Sequence, residues 1–217
     1  QAGGGWDYKY GKSGRRDTSV AGWQIQALKA ASIAGAENPS LRAALDKAMQ
    51  DLKRVQEAET GRFFYTDAGS HKTDSITGVA LLSLQLSGDS QSREARTALQ
   101  ALANSECDWK KPPAWPLYAW YYITQARFHQ GGQGWDHWNR QFARAFVENQ
   151  NTDGSWTSPG AIRENASGQE VNLGPVYSTS LAALTLQVYY RFLPTYKTIS
   201  QPKESKRIHD DVVIEML

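Results

Sequence analysis

His71 and Asp74 stand three residues apart ahead of an apolar run, a spacing that could set an imidazole beside a carboxylate at a helix start for acid–base chemistry. The same pair reads equally as a solvated loop histidine next to a helix cap. A second concentration of useful side chains is Trp115, Tyr118, Trp120, Tyr121 and Tyr122. These could line the mouth of a cavity and stack on a sugar, lipid or peptide, or they could fill core volume at helical spacing. The other reactive residues are dispersed. His71, His129, His137 and His209 are too far apart in the chain for a short-spaced ligand set, and the single cysteine, Cys107, permits neither an internal disulfide nor a Cys-rich zinc site. No metal and no cofactor are expected. Asn165, Ala166 and Ser167 match a glycosylation sequon, which carries no weight without a secreted context.

The elements that would hold these residues are helices of two kinds. Leu41, Ala44, Leu45, Ala48, Met49, Leu52 and Val55 fall on one face, with Arg42, Asp46, Lys47, Asp51 and Lys53 between them, so this helix has one wet side. Ile76, Val79, Ala80, Leu81, Leu82, Leu84 and Leu86 are apolar nearly all round, as in a helix covered on both sides. The alternation recurs: Trp138, Phe142, Ala145 and Phe146 form a one-sided stripe, and Leu181 to Tyr189 a nearly continuous apolar run. The pattern predicts inner helices starting near Thr18, Ser75, Tyr118 and Thr179, alternating with outer helices over 40–56, 92–104 and 135–150. Asp17, Thr18 and Ser19, and likewise Thr73, Asp74 and Ser75, read as N-cap clusters, and Thr179 with Ser180 aligns on the first of them. Gly22 aligns with Gly78, where a small residue would let helices approach closely.

A repeated motif closes each helix pair. Phe146, Gln150, Gly154 and Trp156 form one copy, and Leu52, Gln56, Gly61 and Phe63 a second. Gln1, Gly4 and Trp6 give a cut-off copy, while Leu99 to Trp109 keeps the helix and the closing aromatic but loses the glutamine and the glycine. The closing aromatics at 6, 63, 109 and 156 are separated by 57, 46 and 47 residues, the length of a helix hairpin with its loops.

Gln150, Asp153, Gly154, Ser155 and Trp156 resemble the QW motif of the prenyltransferase and squalene-oxidase repeat family. The stretches Tyr118 to Trp138 and Val176 to Pro194 resemble bacterial members without an assigned activity. The resemblance covers about residues 1–194 and implies an all-α fold, the α/α toroid of repeated helix hairpins. It does not imply one chemistry, because the fold carries many. The cyclases' D-x-D-D acid motif is missing. The prenyltransferase zinc pair Asp-x-Cys is not matched, since Ser105 and Glu106 precede Cys107. The thioester sequence Cys-x-x-Gln is not matched either, since Asp108, Trp109 and Lys110 follow it.

Size and charge bound the rest. In 217 residues, three hairpins and an incoming inner helix are fewer than a closed toroid uses, so an incomplete or open ring is expected. A net charge of +2 with both signs scattered gives no basic face for nucleic acid, and no run approaches a membrane span. The chain begins at Gln1 with no signal-like segment and reads as an excised piece or processed product; compartment stays open. Residues 195–217 turn polar and charged around Val212, Val213, Ile214 and Met216 and form a C-terminal extension outside the repeat, a candidate for contact with a protein partner or a second copy. The expected role is a non-catalytic binding or scaffold domain within a larger protein. The alternative is an enzyme acting on a lipid, isoprenoid or saccharide in a toroid cavity.

Overall fold

The computed structural model describes residues 3–9, 14–160, 162–164 and 170–190. Gln1, the sequon at Asn165–Ser167 and the extension 195–217 lie outside the described residues. The fold is all-α, with helices α1 (Thr18–Ile33), α2 (Leu41–Arg54), α3 (Asp74–Leu86), α4 (Arg93–Ala101), α5 (Pro116–Gln130), α6 (Gly132–Glu148) and α7 (Gly174–Leu186). A 3-10 turn at Gln187–Tyr189 follows α7, and the loop before it holds a small antiparallel hairpin of β1 (Ile162–Glu164) and β2 (Glu170–Asn172).

The helices form two layers. α1, α3, α5 and α7 pack side by side in that order, and α2, α4 and α6 each pack on the helix before them. The residue patterns dictate this division. In α3 every residue from Ser75 to Leu86 is buried, and α5 is buried from Leu117 to Ala126 apart from the half-buried Tyr118. The second-layer helices bury only one stripe: Leu45, Ala48 and Leu52 in α2, Ala95 and Ala98 in α4, and Trp138, Phe142 and Phe146 in α6. Glycines let the first layer close up. A Cβ on Gly22 would lie 2.3 Å from the Val79 side chain, and one on Gly78 would lie 3.1 Å from Tyr122 Cβ.

Helix starts follow local capping with one correction. Asp17 Oδ1 accepts from the Ser19 and Val20 amides (2.9 and 3.2 Å), and Thr73 Oγ1 accepts from the Ile76 amide at 3.2 Å. Thr179 is not a cap, because α7 starts five residues earlier at Gly174, where Pro175 is set to begin a helix without needing an N–H partner. Thr179 Oγ1 instead accepts the Trp156 amide at 3.1 Å, as Thr77 in α3 accepts the Phe63 amide at 3.3 Å.

The motif glutamines repeat one bond. Gln56 Nε2 donates to the Gly61 carbonyl and Gln150 Nε2 to the Gly154 carbonyl, both at 2.9 Å, and each glutamine forms a single antiparallel bridge with its closing aromatic. Gln56 Nε2 also reaches the next second-layer helix, donating to Glu94 O (2.8 Å) and Thr97 Oγ1 (3.0 Å) of α4. The glycines at this turn have left-handed backbones, with φ of 99° at Gly4, 70° at Gly61 and 83° at Gly154. Close approach adds a second constraint at two of them: a Cβ would lie 2.3 Å from Lys47 O at Gly4, and 2.5 Å from Thr97 O at Gly61. At Gly154 the nearest atom is its own Gln150 Nε2, 3.9 Å away, so no described helix seats on this copy.

Gly61→Ala is therefore expected to cost about 3 kcal/mol or more, from left-handed strain plus collision with α4, while Gly154→Ala costs about 1 kcal/mol from the backbone alone. Urea denaturation of both variants checks this; equal losses would contradict the docking role given to Gly61.

Candidate functional site

The groups expected to do chemistry at helix starts are bound into structure. Asp74 accepts from Arg62 and, at 2.7 Å, from Ser105 Oγ. His71 is exposed and stacks on Tyr65 with ring centroids 4.6 Å apart. Its ring makes no hydrogen bond with Asp74, so the two do not form an acid–base pair in this arrangement. Beside them lies a buried ionic cluster that sequence reading missed. Arg16, 2% exposed, donates to Asp51 Oδ2 (2.7 Å), Thr18 Oγ1 (3.0 Å) and Thr66 O (2.8 Å), joining α1, α2 and the loop before α3. Burial, then the Asp17 carboxylate and Tyr8, raise the pKa of Tyr65, which keeps its phenol neutral.

The aromatic stretch divides by depth. Trp120 is fully buried and its indole donates to the Glu106 carbonyl at 3.1 Å; Tyr121 is buried at the edge of Tyr122, with centroids 4.9 Å apart. Tyr118 is half-buried and meets Tyr122 edge-on at 4.8 Å, and burial pushes both phenols up in pKa. Trp23 of α1 reaches Tyr122 at 6.3 Å across α3. Trp115 stays exposed, and with φ of 55° it is the one non-glycine residue with a left-handed backbone among those described. It is held between Ala114 and Pro116, which begins α5.

A concavity lies against α6, in the second layer. A groove of about 450 Å³ runs between the loop from Glu106 to Lys110 and the second half of α6, lined there by Gln141, Arg144, Ala145, Glu148 and Asn149. It marks the degraded motif copy. Shifting the Gln56 copy by the 46-residue spacing of its closing aromatic puts Leu102 in place of the glutamine and Cys107 in place of Gly61. The bridging amide is thus lost, and the link to α6 is a weak bond from the Cys107 amide to Gln141 Oε1 at 3.4 Å. Trp109, the closing aromatic, forms one wall. It packs on Trp120 at 4.7 Å and on the edge of Phe146 at 5.3 Å, and its indole donates to Thr157 O at 3.3 Å. The Cys107 thiol is raised well above its usual pKa by burial and then by Asp108, so it is not poised as a nucleophile. The only sequence signal of this groove was the missing glutamine and glycine.

Among the described residues no three His, Cys, Asp or Glu side chains cluster as a metal site, and no helix is long and apolar enough to cross a membrane. Comparison of the chain with models of protein families, with curated proteins and with solved structures gives no match.

One buried cation carries a pH signature. Lys29 of α1 is fully buried, and burial pushes its ammonium down to about 8. Between there and the ordinary lysine value of 10.5 the unfolded chain holds the extra proton, so stability rises with pH across that window and is flat below it. Lys29→Met is expected to lose that rise. Denaturation midpoints measured across the window check this, and an unchanged slope in the variant would contradict it.

Proposed function

We propose that the chain is a non-catalytic binding or scaffold domain of the squalene-cyclase-like α/α-toroid type, an open segment of a ring that works inside a larger protein or assembly. The observation carrying this reading is the unequal use of two intact motif copies. Gln56 and Gly61 seat α4, whereas Gln150 and Gly154 present the same amide and the same left-handed glycine with no described helix on them. A helical repeat buries its faces against neighbours, and an edge that keeps its docking residues is suited to receive one more amphipathic helix. That helix would come from the extension 195–217 or from another chain.

The family resemblance agrees with this reading through the layered hairpins and the recurring glutamine–glycine–aromatic turn. An enzyme acting on a lipid, isoprenoid or saccharide in a central cavity is less well supported, since α3 and α5 are buried along their length and Asp74 is held by Arg62 and Ser105.

The test places a large side chain on the open edge. Gly154→Arg is compared with Gly154→Ala, which shares its backbone cost, and with a chain ending at residue 194. If the extension fills the edge, Gly154→Arg and the truncation each lower Tm by about 4–8 °C beyond Gly154→Ala, the shift for about 2 kcal/mol in a chain of this size. If a second copy fills it, Gly154→Arg lowers the mass seen by light scattering. Gly154→Arg matching Gly154→Ala in both Tm and mass would overturn the docking role of this edge.

A further inference from the structure

We propose that the groove walled by Trp109 is a binding site for a neutral saccharide of about two sugar units. Three observations converge there. The first is origin: where Gln56 and Gly61 fasten their turn to α4, the degraded copy leaves a concavity of about 450 Å³ against α6, within the range of small-ligand sites. The second is an aromatic wall fixed in advance. Trp109 is held by its tilted packing on Trp120, its perpendicular contact with Phe146 and the indole bond to Thr157 O, so little side-chain freedom remains to be lost on binding. The apolar C–H face of a pyranose ring would pack on the part of the half-buried indole that lines the groove, with its hydroxyls outward.

The third observation is the charge and type of the polar lining. Glu106, Asp108 and Glu148 face Lys110 and Arg144, and Arg144 is paired to Glu148 at 2.7 Å. With three carboxylates against two cations, the groove has no surplus positive charge for a phosphate or carboxylate ligand. The mixture of planar acceptors and donors, joined by the Gln141 and Asn149 amides with the hydrogen-bonding capacity left after Gln141 bonds His137 and Asn149 bonds Ala145 O, instead suits a ligand whose groups both give and accept hydrogen bonds, as sugar hydroxyls do. The site lies on the outer surface, where an end or stretch of a longer glycan could reach it.

The experiment titrates the full chain with maltose, cellobiose and xylobiose, following the Trp109 indole and the Gln141 and Asn149 side-chain amides by NMR, with digalacturonate as an acidic comparison. At least one neutral disaccharide is expected to give saturable shifts at those three side chains with Kd on the order of millimolar, in line with a small, open site. Trp109→Ala should weaken binding by about tenfold or more. Because that change also removes packing, Glu106→Ala and Arg144→Ala, both at exposed positions, provide a second reading and should each weaken binding with the fold intact. Trp23→Ala, at an exposed ring outside the groove, should bind as the parent does. The proposal is overturned if no neutral disaccharide moves these resonances, if the shifts map elsewhere, if none of the groove variants weakens binding, or if digalacturonate alone binds. None of these results bears on the docking edge at Gly154, which is read out by Tm and mass.

Discussion

One side-chain amide sets the spacing between neighbouring hairpins. Gln56 Nε2 is shared among the Gly61 carbonyl, the Glu94 carbonyl and Thr97 Oγ1, so a single NH2 group closes its own turn and fastens that turn to α4. Each bond contributes only about 1 kcal/mol net, yet together they fix where α4 stands relative to α2. Gly61 belongs to the same constraint, because α4 comes so close that a Cβ would collide with the Thr97 carbonyl. The Phe63 amide, bound to Thr77, then ties the turn to α3. Loop, second layer and first layer thus meet within a few residues.

What this clasp encloses is packed with large rings. Trp120, Trp138, Tyr122, Phe63, Phe142 and Phe146 are all buried, and the two indoles among them are provided for: that of Trp138 donates to Thr124 Oγ1 at 2.8 Å, and that of Trp120 to Glu106 O at 3.1 Å. One buried ion pair serves as a fastener. Arg16 and Asp51 form a buried pair supported by Thr18 and Thr66 O, with Arg54 also donating to Asp51 Oδ1 at 3.0 Å, so that losing Asp51 would strand the buried Arg16 charge. The chemistry available in the described chain is therefore displaced outward, to the groove beside Trp109 and to the edge at Gly154.

Much of the fold was legible because it is periodic. The one-sided stripe at Leu45, Ala48 and Leu52 and the unbroken apolar run in α3 distinguished two helix types, and the observed burial follows them. The motif glutamines were legible as a recurrence, and each donates to the carbonyl of the glycine in its own motif. Thr179 was misread because its resemblance to Thr18 outweighed Pro175, the better marker of where α7 begins. The Arg16–Asp51 pair could not be read at all, since partners 35 residues apart carry no local pattern. Of the candidate site residues, Trp120 and Tyr121 are core and His71 and Asp74 are separately engaged. The groove went unnoticed because its signal was a departure from the motif, and a missing residue has no chemistry of its own to draw attention.

The most extensive helix contact is that of α3 with α5, and each of these two has a first-layer neighbour on both sides, whereas α1 and α7 each have one on one side only among the described helices. In a stacked architecture, stability is close to a sum of neighbour terms, so this asymmetry grades the molecule along its own length. Amide protons in α3 and α5 belong to the unit that opens last, while those of α1 and α7 can exchange through partial openings that leave the middle intact. The chain then behaves as a rigid central pair with two more labile margins, and the margin formed by α7 is the one beside the Trp156 turn.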